Sequence, residues 1–254
     1  VLLLAAIVAG YNLHYRIKAP LSPSPETPSS RPATTNNAPG SANPTTAKTP
    51  DHTLVGTRDR AYEALFLLWD MTYDPGDSRT MCEQARSQGV RCMEGKDTLD
   101  TLRTINKPAV LRLVDTKGGE YYATLISLDG DIGTYSMAGE KRTGTTKEIV
   151  ERWSGDYLLL WRAPQGWKED LRPNKSEGPV VAWLDKQLGR IQKRKSAGGQ
   201  KKSYDDDMVK QIREFQRKAG LTADGIVGPM TIIKIADVTG DGGPTLRNGK
   251  GSGT

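Results

Sequence analysis

The stretch Phe215-Gln-Arg-Lys-Ala-Gly-Leu-Thr-Ala-Asp-Gly-Ile-Val-Gly-Pro-Met-Thr231 reads as the end of one helix, a stop, a tight turn and the start of a second helix. Met208, Ile212 and Phe215 put one apolar stripe on the first helix. Gly220 suits the position just past a helix end, Asp224-Gly225 makes a tight turn, and Pro229 fits the first turn of a helix carrying Ile232, Ile233 and Ile235. Phe215, Leu221 and Ile226 are expected in the core. Upstream, Asp205-Asp206-Asp207 opens the first helix, where carboxylates accept from free amides and oppose the positive dipole end. The same aspartates lack the later Gly and Glu of an EF-hand calcium loop, so the helix start is preferred. Val181, Leu184 and Leu188 mark a third helix, which completes a small all-α unit over residues 178–238.

Residues 56–164 follow another pattern. Ala61, Ala64, Leu65, Leu68 and Trp69 recur at helical spacing, with Asp59 as the expected cap; Ser78 precedes a second helix from Met81 to Gln88, stopped by Gly89. Asp97 opens a third helix with Leu99, Leu102 and Ile105 on one face. From Pro108 the period shortens: Ala109 to Val114, Tyr121 to Leu128 and Ile132 to Met137 read as strands, joined by Lys117-Gly118-Gly119 and Asp129-Gly130. Thr145 with Glu148 is a capping-box pattern before a last strand, Tyr157 to Trp161. Helices first and antiparallel strands afterwards define an α+β region.

The chemistry available is limited. Both histidines, His14 and His52, precede the parts expected to fold, so neither region can build a His-based triad or a His-ligated zinc site. No cofactor or metal is expected. Cys82 and Cys92 flank the Gly89 turn and leave three choices: a disulfide, buried thiols or a nucleophile, the last lacking an imidazole to activate it. If oxidised, the short loop would stabilise by about 2–3 kcal/mol. The net charge of +6 at first suggests nucleic acid, but residues 58–164 carry −2 and residues 204–254 carry 0, while residues 165–203 carry +6. Arg190, Lys193, Arg194, Lys195, Lys201 and Lys202 therefore read as a solvated loop, with contact to an acidic polymer as the rival reading; no nucleic-acid partner is expected.

The N-terminal part has its own logic. Val1 to Gly10 is apolar throughout and would span about 15 Å as a helix, about half of a hydrocarbon core, so residues 1–18 read as the end of a transmembrane helix with Tyr11, Tyr15, Arg16 and Lys18 at its interface. Residues 19–55 hold eight of the 15 prolines and no aromatic residue, which makes them a disordered tether. Residues 165–177 are expected to link the two folded regions, and the Gly-rich residues 239–254 to be a disordered tail.

Two resemblances add to this. Ala61-Tyr-Glu-Ala-Leu-Phe-Leu-Leu-Trp69, Met81-Cys-Glu-Gln-Ala85, Asn106-Lys-Pro-Ala-Val-Leu-Arg-Leu113 and Trp153-Ser-Gly-Asp-Tyr-Leu-Leu-Leu-Trp-Arg162 resemble the periplasmic part of the general secretion pathway protein A family. Members join a cytoplasmic ATPase to this part through one transmembrane helix. The resemblance implies a degenerate papain-like, C39-like domain: the first helix has Ala61 and Ala64 where a peptidase would have Cys, and the strand start has Tyr121-Tyr122 where it would have His. It also implies a periplasmic location anchored at the inner membrane, where a Cys82–Cys92 disulfide is permitted. A membrane partner protein of the secretion system, a type II secretion secretin and homo-oligomers are the implied associations.

The spacing from Phe215 to Thr231 resembles that of peptidoglycan-binding domains found beside cell-wall hydrolases. It departs at Asp185, usually Gln, and in its longer Lys-rich loop. That resemblance implies peptidoglycan as the ligand, with Gln216, Asp224, Gly225 and Thr231 near it and Tyr204 as a stacking wall. The alternative to a binding protein is a cell-wall cysteine peptidase or amidase carrying this domain.

Overall fold

The computed structural model describes residues 56–194 and 203–247. The expected membrane segment and tether, Lys195, Lys201, Lys202 and the last seven residues lie outside the described part. The described residues belong to one compact unit.

The chain begins with α1 (Arg58–Leu68) and α2 (Met81–Ser87), then β1 (Arg91–Lys96) and α3 (Leu99–Ile105). β2 (Ala109–Val114), β3 (Glu120–Asp129), β4 (Ile132–Met137) and β5 (Glu140–Thr145) run as a meander, α4 (Thr146–Arg152) crosses over, and β6 (Trp153–Trp161) returns. The six strands form one antiparallel sheet in the order β1-β6-β2-β3-β4-β5. The α+β reading of this region is what the structure shows.

Asp205 caps the helix that starts at Asp206 as read, accepting from the Met208 amide, but the first three helices start on threonines other than the residues named from sequence. Thr57 caps α1 by accepting from the Arg60 amide, while Asp59 sits one residue inside and accepts from the Tyr73 hydroxyl. Thr80 and Glu83 form a capping box on α2 in place of Ser78, and Thr98 caps α3 in place of Asp97, which accepts from the Thr98 amide and Thr101 hydroxyl. A threonine oxygen one position before the helix reaches the second or third free amide, and a carboxylate one step earlier or later does not. The Thr145–Glu148 capping box forms as read. β5 carries little strand signal of its own, because Glu140-Lys-Arg-Thr-Gly-Thr145 alternates weakly and lies on the sheet edge, where charge blunts further pairing.

Alternation along the inner strands divides the core. Val110, Leu158 and Leu160 face α1 and α2 and pack with Leu65, Phe66, Trp69, Met81 and Ala85. Cys82 and Cys92, joined as a disulfide with Cα atoms 5.5 Å apart, tie α2 to β1 beside this cluster. Leu111, Leu113, Ala123, Leu125, Tyr157, Leu159 and Trp161 face the other way, and their cluster continues without a break into the C-terminal helices.

Those helices are α5 (Pro179–Ile191), α6 (Asp206–Lys218) and α7 (Pro229–Thr239). The expected linker 165–177 is packed: Trp167 meets Trp161 edge-on with ring centres 5.1 Å apart, Arg91 lies over its ring, and Leu171 pairs with Val227. The expected tail is ordered as far as Arg247. Lys107 donates to the Gly242 and Pro244 carbonyls, Gly243 lies under Trp69, and Leu246 is fully buried between Asn106 and Leu128. Glycine composition alone suggested disorder; a buried ammonium needing acceptors and a buried leucine order the segment.

Candidate functional site

The turn after α6 is held from within. Gln216 is 1% exposed, and its side-chain oxygen accepts from the Gly225 amide at 2.9 Å. Its NH2 group is 2.9 Å from the Ile226 carbonyl, 3.1 Å from Asp224 Oδ1 and 3.2 Å from the Thr231 hydroxyl oxygen. Two hydrogens thus serve three acceptors, one of them shared. Asp224 Oδ1 also accepts from the Ile226 amide at 2.8 Å, an Asx turn. The Tyr204 hydroxyl donates to the Gly225 carbonyl at 2.6 Å. Gly225 has φ +77°, and a Cβ there would lie 2.9 Å from Val209, so this position needs glycine twice over.

The structure therefore brings Tyr204, Gln216, Asp224, Gly225 and Thr231 together but gives them unequal access. Tyr204 is wholly buried and cannot offer its ring as a stacking wall; burial, then the neighbouring Asp224, pushes its hydroxyl pKa upward. Its carbonyl and amide bond Asn174 and Ser176, so the segment before α5 closes over it. Gln216 and Thr231 are also buried and spend their polar atoms on the turn. Asp224 is exposed, and Arg213 reaches its carbonyl from α6 at 3.4 Å. Leu221 and Ile226 are only half-buried, not core, because they flank the exposed turn. The surface left to a ligand is Asp224, Arg213 and the turn backbone, shaped by the network beneath; Arg213 was missed because only the folded α6 brings it to the turn.

The basic loop is less free than its composition implied. Arg190 pairs with Asp241 at 2.6 Å and donates to the Thr239 carbonyl. Arg194 pairs with the buried Asp185 at 3.0 Å, which gives the departure from the usual Gln at that position a local partner.

At the positions where a peptidase would hold its nucleophile and base, α1 offers Ala61 and Ala64 and β3 offers Tyr121 and Tyr122. Ala61 is buried and its carbonyl accepts from the Thr124 hydroxyl at 2.6 Å. Tyr122 accepts from Arg58 at 2.9 Å, with the guanidinium over its ring. Both cysteines are consumed by the disulfide. Among the described residues no group of His, Cys, Asp and Glu is placed to hold a metal ion, and no helix is long and apolar enough to cross a membrane.

An antiparallel α+β sheet region sharing its core with a three-helix module that carries a structured Asp-Gly turn defines the class of protein. Residues 177–235 match the family described as "Putative peptidoglycan binding domain". The chain is similar to general secretion pathway protein A from Aeromonas hydrophila: the two are 30% identical over 190 residues, 75% of this chain and 34% of the relative. It thus spans about a third of the length of that curated relative. Among solved structures, a periplasmic domain of the EpsAB fusion protein of the Vibrio vulnificus type II secretion system matches 73% of this chain and 81% of that one at 21% identity and TM-score 0.48. The N-terminal peptidase C39-like domain of a toxin secretion ATP-binding protein from Vibrio parahaemolyticus matches 39% of this chain and 81% of that one, at 16% identity and TM-score 0.28.

Proposed function

We propose that this chain is a non-enzymatic, periplasmic peptidoglycan-binding part of a type II secretion protein, anchored at the inner membrane and assisting a secretin to assemble through the cell wall. The observation that carries the reading is the buried Gln216 network, which fixes the Asp224 turn inside the residues matched to the peptidoglycan-binding family. A turn fixed before binding loses little entropy on meeting a polymer of sugar hydroxyls and peptide amides. Each neutral hydrogen bond contributes only about 1 kcal/mol net, so single domains bind weakly, and several copies on one polymer would retain the assembly by effective concentration. The similarity to general secretion pathway protein A supports the secretion role; the membrane partner protein and the secretin are part of the proposal itself. The disulfide that occupies both thiols favours binding over a cell-wall cysteine peptidase or amidase.

The test is sedimentation of the 254-residue chain with insoluble peptidoglycan. Part of the retention should survive about 0.5 M salt, at which exposed charges are screened beyond a few ångströms, and should survive Lys193→Gln with Lys195→Gln. It should fall in the folded double variant Asp224→Asn, Arg213→Gln. No retention of the unaltered chain would overturn the reading, and thiol-dependent hydrolysis of peptidoglycan would move it to the enzyme class.

A further inference from the structure

A recess of about 240 Å³ lies where the β3–β4 hairpin meets the C-terminal segment, lined by Arg103, Leu128, Asp129, Gly130, Leu246 and Arg247. Its walls are fixed by backbone bonds. Leu246 accepts from the Leu128 amide at 2.8 Å and donates to the Asn106 carbonyl at 3.3 Å, and the Arg247 amide donates to the Asn106 side chain at 3.0 Å. Asn106 itself holds a left-handed backbone, φ +61°, as the C-cap of α3. Arg247 is thus held at the mouth, and Arg103 reaches it from the last turn of α3.

Positive charge at this recess is under-compensated. Among the described residues Arg103 has one ion-pair contact, a long one of 3.7 Å to Asp100, a side chain 94% exposed. Arg247 and the neighbouring Lys234 form no ion pair among the described residues, and Asp237, the acid beside Lys234, is engaged by Lys107. Burial pushes the Lys234 ammonium pKa down; Asp237 opposes this, and Arg247 and Lys107 add to it. Asp129 is the one acid in the lining. A larger groove of about 680 Å³ on the same sheet, over Leu113, Tyr121 and Tyr135, has charges of both signs at its rim and so selects no occupant.

We infer that Arg103 and Arg247 form a second binding point, which receives a carboxylate of the acidic stem peptides of peptidoglycan. The inference rests on the peptidoglycan reading above and extends it to a site outside the turn. Two guanidiniums are suited to one carboxylate because each presents paired N–H donors in the plane of the anion's oxygens. The recess is narrow and admits a side group hanging from a polymer better than a flat sheet of headgroups. Lys234, whose charge is felt by Arg247, stands on α7, the helix that follows the Asp224 turn.

The experiment measures equilibrium retention of the 254-residue chain on native sacculi and on sacculi whose carboxylates have been converted to amides. Amidation and the double variant Arg103→Gln, Arg247→Gln should each lower affinity about fivefold, the effect of one good exposed charge contact, without adding when combined. Arg103→Lys, Arg247→Lys keeps the charge but not the fork, should lose less than the Gln variant, and controls for folding. Equal retention of the unaltered chain and the Gln variant on native sacculi overturns the inference while leaving peptidoglycan binding intact. So does a further loss on amidation in the Gln variant, which places the anion elsewhere. Capture of phosphatidylglycerol vesicles that is lost in the Gln variant, with sacculus binding unchanged, reassigns the recess to lipid. If the unaltered chain is not retained at all, both readings fall.

Discussion

Lys107 Nζ lies 2.5 Å from Asp237 Oδ1, joining a residue two positions before β2 to the helix α7 130 positions away. The lysine is 1% exposed and also holds the carbonyls of Gly242 and Pro244, so one ammonium ties the sheet, the last helix and the C-terminal segment together. Burial acts against both charges, pushing the Lys107 pKa down and the Asp237 pKa up, while each partner opposes the other's shift.

Breaking this pair from one side should therefore cost more than removing it. Lys107→Met leaves Asp237 buried without its cation and is expected to destabilise by about 3–5 kcal/mol, whereas Lys107→Met with Asp237→Leu should recover most of that loss. Urea denaturation of the two variants measures the difference; equal losses would show that the lysine acts only through the two carbonyls.

The Cys82–Cys92 bridge closes a loop with a sequence separation of 10 and is expected to contribute about 2–3 kcal/mol. Alkylation of the unfolded protein without reductant should leave both cysteines unmodified. Cys82→Ser with Cys92→Ser should lower the unfolding free energy by that amount and reveal no lost activity.

Tyr204→Phe and Gln216→Ala separate support of the turn from contact with ligand. Removing the Tyr204 hydroxyl leaves the Gly225 carbonyl without that donor and should cost about 1 kcal/mol, with little change in peptidoglycan retention, because the hydroxyl is buried and spent on the turn. Gln216→Ala deprives the buried Gly225 amide of its acceptor; a loss of about 1–3 kcal/mol is expected, and retention should weaken as the turn loosens. A retention defect in Tyr204→Phe equal to that of Asp224→Asn, Arg213→Gln would show that the hydroxyl, through the Gly225 carbonyl, matters to binding as much as the exposed groups do.

Acid should loosen two exposed hydrogen-bonded carboxylates. The Thr80 amide, with the Thr80 hydroxyl, holds Glu83 below the usual range, and the Gly119 amide, with that of Lys117, does the same for Asp115. A folded-state value below the unfolded one contributes stability that is complete above the unfolded value, near 4, and is lost as pH falls through the folded value. Asp237, raised by burial, works in the opposite sense. The urea midpoint should thus drop less between pH 5 and pH 3 for Glu83→Gln, Asp115→Asn than for the unaltered chain, and parallel curves would refute the assignment.

Much of the local structure was legible in the sequence because local rules decide it. The stripe Met208, Ile212, Phe215, the stop at Gly220, the Asp224-Gly225 turn and Pro229 at N1 each depend on residues within one helical turn, and each formed as read. The strands at Ala109 and Ile132 and the box at Thr145 share that property. The helix caps were misplaced by a residue or two because Thr, Ser and Asp compete for the same free amides, and backbone entry angle settles which oxygen reaches them.

The sequence by itself determined the two kinds of region, the turn motif and the absence of histidine beyond His52, since composition and short-range spacing suffice for those. Only the tertiary structure decided what the polar residues do. Tyr204 and Gln216 carry ligand-competent chemistry in any sequence reading, yet burial commits their polar atoms to the turn, and the access left to a ligand passes to Asp224 and Arg213. Likewise Lys107 and the Gly-rich residues after Thr239 look like surface and tail until a buried ammonium, shut off from bulk solvent, draws the distant carbonyls of Gly242 and Pro244 around itself.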